Sequence, residues 1–132
     1  MESSQLITEL CSLLTESIPE PWEKIALYGE INDHSRTVFF YFKPKNRSEW
    51  IYSLDFEDIY DSDEEKLDAS LTAIEHKTAE IWESIKKETG KPFSWMTLII
   101  NESGKFEINY SYEEPLNSPV EQKKRWKEQY LD

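Results

Sequence analysis

Apolar residues in positions 3–18 recur at spacings of three and four: Leu6, Ile7, Leu10, Leu13, Leu14 and Ile18. That period predicts a helix with one apolar face. Ser3 or Ser4 can cap its start, and Pro19 and Pro21 end it. From Trp22 to Ile31 the period falls to two, with Ile25, Leu27 and Ile31 set against Lys24, Ala26, Tyr28 and Glu30. This is the pattern of a half-buried strand. Asn32-Asp33-His34-Ser35 has turn chemistry, and the β-branched and aromatic run Thr37–Phe42 supplies a hairpin partner. A basic turn, Lys43–Arg47, leads to a third strand over Glu49–Leu54, with Trp50, Tyr52 and Leu54 on one face.

The period lengthens again at about Asp63. Leu67, Leu71, Ile74, Ile81 and Ile85, with Trp82 beside them, predict a long helix to Thr89, stopped by Gly90 and Pro92. Asp61 or Ser62 can cap it. Trp95–Ile100 and Lys105–Tyr112 flank Asn101-Glu102-Ser103-Gly104 as a second hairpin. Phe106, Ile108, Tyr110 and Tyr112 share one face of its last strand. Pro119–Leu131 predicts a closing helix, with Ser118 as cap, Pro119 in the first turn and Glu121 three residues past the cap. The order α-β-β-β-α-β-β-α groups the strands. It predicts an α+β fold in which five strands form a single antiparallel sheet and helices pack mainly on one face. At 132 residues the chain is read as one domain, 1–132, without repeat or linker.

Charge narrows the set of partners. The chain carries 27 acids against 15 bases, a net charge of −12. Phosphate backbones and anionic membranes are therefore disfavoured as direct partners, and basic proteins are favoured. No apolar run approaches the ~20 residues of a membrane span. Glu2 stands where a secretory signal has Lys or Arg, and Cys11 is the lone cysteine. Both observations lead us to expect a cytoplasmic protein. The sequence leaves a homodimer open.

The acids concentrate in Tyr52–Asp68, where Asp55, Glu57, Asp58, Asp61, Asp63, Glu64, Glu65 and Asp68 face one cation, Lys66. Leu54, Phe56 and Ile59 are interleaved and are expected to anchor the segment on the core. Two readings stand side by side. The run can be a hydrated loop and helix start, since acids suit a helix N-terminus, or a docking face for a basic partner. Aromatics offer a second candidate surface. With helices on one face, Phe39 and Tyr41 are expected on the uncovered face, where exposed rings act as binding hot spots.

Chemistry beyond binding has little support. His34 and His76 have no metal-ligand spacing, and there is no HExxH, GxGxxG, phosphate-binding loop or GxSxG. No catalytic residue, metal site or cofactor is expected. A carboxylate-dependent hydrolase remains as an alternative on residue type alone. A further alternative is an acidic interaction protein or nucleic-acid mimic that binds basic partners generally.

The ordered aromatic segments carry a resemblance. They are Pro19-Glu20-Pro21-Trp22-Glu23-Lys24 with Tyr28 and Glu30, Val38–Phe42, and Trp50-Ile51-Tyr52-Ser53. Gly104-Lys105-Phe106, Tyr110–Glu113, Arg125-Trp126-Lys127 and Tyr130-Leu131 follow. In this set and order the chain resembles the YezG-like immunity proteins, antitoxins of secreted LXG-type nuclease toxins. The resemblance implies a small cytoplasmic protein of a bacterium with type VII secretion, which binds the C-terminal nuclease domain of its toxin. It implies no catalytic residue and no cofactor, and it transfers no interface residue. The acidic face rests on the residues alone.

Overall fold

A computed structural model describes the backbone of residues 2–55 and 64–131, and the side chains of residues 3–55 and 65–131. The elements are α1 (Glu2–Ser17), β1 (Trp22–Ile31), β2 (Arg36–Pro44) and β3 (Ile51–Tyr52). A 3₁₀ turn, Ser53–Asp55, follows, and then α2 (Glu64–Thr89), β4 (Trp95–Asn101), β5 (Phe106–Ser111) and α3 (Pro119–Tyr130). The five strands form one antiparallel sheet in the order β3-β2-β1-β4-β5. The α+β order expected from the periods is the one observed.

Period two on β1 and β2 sorts their side chains onto two faces. Ile25, Leu27 and Ile31 of β1, and Phe40 and Phe42 of β2, meet the apolar stripes of α1 and α2. Leu10, Leu14, Ile74, Ile81, Met96 and Leu98 complete this main core and are essentially without solvent contact. Leu71 is half-buried at its margin. The two helices are clamped at the surface by Lys77 Nζ, 3.2 Å from Glu9 Oε1. α2 lies close on the sheet at Gly29, where a Cβ would sit 2.6 Å from Thr78 Cγ2. α2 ends at Gly90, whose φ of +77° suits glycine and whose N–H donates to Lys86 O.

The third strand is shorter than its sequence pattern predicts. Only Ile51 and Tyr52 pair with β2, opposite Phe42 and Tyr41. Ser and Asp favour turns over strands, and the chain leaves the ladder at Ser53 in the 3₁₀ turn. Leu54, expected as an anchor, is thereby turned outward and is 58 % exposed. Its companions Phe56 and Ile59, and the caps Asp61 and Ser62, lie outside the described residues.

Candidate functional site

The described part of the acidic stretch lies where the 3₁₀ turn faces the start of α2. Asp55 closes the turn, and Glu65 and Asp68 are exposed in the first turns of the helix. Val38, Leu54, Leu71, Asp68 and Glu75 line a shallow groove of about 410 Å³ between them. Arg36 Nη1 approaches Glu75 Oε1 at 3.9 Å, with both side chains a little under half exposed. Glu57, Asp58, Asp61 and Asp63 lie outside the described residues, as does the side chain of Glu64. A larger groove of about 830 Å³ runs along α2, but Arg36, Lys86 and Lys87 balance Glu80 and Glu83 there. That groove has no field of one sign.

The second sheet face corrects an expectation. Phe39 and Tyr41 are buried, because α3 lies across them. Three residues four apart, Gln122, Trp126 and Tyr130, form the stripe that does this. Trp126 meets Phe39 edge-on at 5.4 Å and Tyr28 at 5.7 Å, and its Nε1 donates to Thr97 Oγ1 at 2.9 Å. Beside that stripe, Lys123 places Nζ 3.7 Å above the Tyr52 ring and 4.8 Å from Phe39, and Lys127 lies 5.4 Å over Tyr41. The lysine stems cover rings while their charges stay near water. Tyr28 donates its hydroxyl proton to Glu30 Oε1 and accepts from Gln122 Nε2 at 3.2 Å. Gln122 Oε1 in turn accepts from the Leu116 N–H at 3.0 Å. Burial, and then the bond to Glu30, push the Tyr28 phenol far above its ordinary value. This network fixes α3 on the sheet, so Phe39 and Tyr41 offer a partner no open face.

Sequence reasoning missed this helix–sheet seam. Its one strong signal is Trp126, an isolated large apolar residue in Glu121–Gln129, with glutamine four positions before and tyrosine four after. Among the described residues, no three of His, Cys, Asp and Glu converge as a metal site requires. Burial pushes the Cys11 thiol up, away from the reactive thiolate. Among the described residues no helix is long and apolar enough to cross a membrane.

Comparison with known proteins covers nearly the whole length. The family model described as "Immunity protein YezG-like" matches residues 3–132. The chain is 30 % identical over 115 residues to "Immunity protein YezG" of Bacillus spizizenii, covering 87 % of this chain and 71 % of that one. It is 28 % identical over 108 residues to "Immunity protein YezG" of Bacillus subtilis, covering 82 % and 72 %.

Proposed function

The chain belongs to the YezG-like immunity protein family, and from that premise we propose that it binds and neutralises a cognate secreted nuclease toxin through the toxin's C-terminal nuclease domain. The observation that carries this reading is the family match over residues 3–132. Charge supports the kind of partner. A nuclease domain holds a polyanion and so presents a basic cleft. A chain of net charge −12 is drawn toward such a cleft. Inhibition is by stoichiometric binding, inside the cell that makes the toxin, without catalysis, metal or cofactor.

The docking face we assign is the acidic run from Asp55 to Asp68. Asp55, Glu65 and Asp68 are exposed, and Lys66 is the only base in Tyr52–Asp68. Neighbouring acids on one helix lie about 6 Å apart, within a Debye length of roughly 8–10 Å, and act together on an approaching cation. The test is to purify the protein from its native host and ask whether a nuclease comes with it. The rates of the pair are then measured. Asp61→Asn, Asp63→Asn, Glu64→Gln and Glu65→Gln combined should slow association several-fold at low salt. The gap should narrow at high salt, with dissociation little changed. A toxin that stays active beside excess protein overturns the function. A variant that associates at the wild-type rate in low salt overturns the acidic docking face alone.

A further inference from the structure

The sheet has two edges of unequal kind. One is β3, two residues long; the other is β5, whose six residues pair with β4 on one side and, among the described residues, have no strand on the other. The β4–β5 ladder runs from Trp95↔Ser111 to Ile100↔Phe106 without a register shift. The carbonyls of Lys105 and Ser111 face β4, accepting from Asn101 N at 2.8 Å and Ser94 N at 2.7 Å. Backbone groups alternate sides in an antiparallel ladder. The N–H and C=O groups of Phe106, Ile108 and Tyr110 therefore point to the open side, and Tyr112 lies one residue past the strand. Natural sheets blunt such an edge with proline, a bulge or a covering element. β5 contains no proline, and Phe106 at its start and Tyr112 just past its end are 46 % and 48 % exposed.

We propose that this edge pairs with β5 of a second copy, antiparallel and centred on Asn109, joining two sheets into one. A twofold axis normal to the sheet keeps each face on its own side. Paired positions must then both be odd or both be even. Centred on Asn109, Phe106 lies opposite Tyr112 of the second copy, Ile108 opposite Tyr110, Glu107 opposite Ser111, and Lys105 opposite Glu113. Each exposed ring meets a ring, and each lysine meets a carboxylate. The neighbouring registers do worse. Centring on Glu107 sets Glu107 against itself. Centring on Tyr110 sets Glu107 against Glu113 twice. Centring on Ile108 places Gly104 opposite Tyr112 and leaves Lys105 without an acid. Opposed like charges in a sheet are unfavourable and opposed aromatic or opposite-charge pairs are favourable. The segment Lys105–Glu113 thus reads as its own complement in one register. The outward backbone groups also fall on its aromatic pairs, which places Asn109 at a non-hydrogen-bonded centre with Cα atoms about 4.5 Å apart.

The test uses the full chain. Sedimentation over a concentration series should show a reversible dimer. Lys105→Glu should weaken it about tenfold, by turning two attractions into two repulsions. Lys105→Glu combined with Glu113→Lys should restore it. In a Cys11→Ser background, Asn109→Cys should form an intermolecular disulfide on mild oxidation at least tenfold faster than Glu107→Cys. The former pair would sit within disulfide reach, whereas the two residues 107 would be roughly 13 Å apart along the strands. A monomer at every concentration overturns the proposal, as does a double swap that fails to restore the dimer. Equal cross-linking at 107 and 109 overturns the register and with it the pairing.

Discussion

The two faces of this sheet are covered by opposite means. On one, α1 and α2 together bury an aliphatic layer in which Leu10, Leu14, Ile25, Leu27, Ile74 and Ile81 share the contact. On the other, α3 is the one described helix over Ala26, Tyr28, Phe39 and Tyr41, with Trp126 as its deeply buried apolar anchor. The first face spreads its stabilisation over many interlocking side chains. The second concentrates it in one indole, one phenol-centred hydrogen-bond network and two lysines laid over rings. A helix with few apolar residues can still dock, provided the sheet supplies the aromatic surface.

Truncations should expose that difference. Phe40→Ala, at the centre of the aliphatic face, should cost about 4 kcal/mol and lower the midpoint of a single global transition. Trp126→Ala should cost about 3 kcal/mol and act locally first, with amide exchange rising in α3 before it rises in β1 or β4. If both variants lose protection everywhere at once, the two faces do not differ in cooperativity.

Gly29→Ala probes how closely α2 is seated. Its Cβ would meet Thr78 Cγ2 at 2.6 Å, and the overpacking should cost about 2 kcal/mol in chemical denaturation. A neutral result would mean that α2 yields easily. Tyr28→Phe should cost about 1–2 kcal/mol, because it strands Gln122 Nε2 and a Glu30 oxygen. It should also change the alkaline limb. The fold keeps the Tyr28 phenol protonated well past its ordinary value of 10.0. Its stabilisation is therefore complete below pH 10 and is lost as pH rises beyond it. The variant should lose stability less steeply above pH 10. A residual slope is expected from Tyr110, raised by burial and by Tyr112 and Glu88. Lys123→Ala should have the smallest effect, about 0.5–1 kcal/mol, read as a small loss in thermal midpoint. A loss as large as that of Trp126→Ala would make the cation, rather than the indole, the anchor of α3.

The aliphatic face was legible in the sequence because its signals are periodic and repeated. Leu6 to Leu14 and Leu67 to Ile85 mark the helices, and Ile25, Leu27, Phe40 and Phe42 mark the strands beneath them. The aromatic face was not, since α3 offers a single tryptophan where a periodic stripe needs several apolar residues. Phe39 and Tyr41 were assigned to the correct face, but the element that covers them lies roughly eighty residues later, and local period carries no such information. The early end of β3 was likewise a contest between the strand pattern of Glu49–Leu54 and the turn preference of Ser53 and Asp55, and the turn won. The acidic run was readable as charge, and composition does not encode its three-dimensional arrangement.

The strand order also has a bearing on how the chain is made. β1 is central in the sheet yet is the first of its five strands to leave the ribosome. Its partner β2 follows at once across a short turn, and β4 and β5 close their own hairpin just as locally. The seam that unites the hairpins, Lys24↔Asn101 to Glu30↔Trp95, joins residues roughly seventy positions apart. Until β4 emerges, then, one whole side of β1 has no neighbour, and the nascent hairpin must stay unaggregated until Asn101 has been added. A co-translational chaperone would find its substrate in that interval, and the slow step of refolding should be the zipping of β1 onto β4.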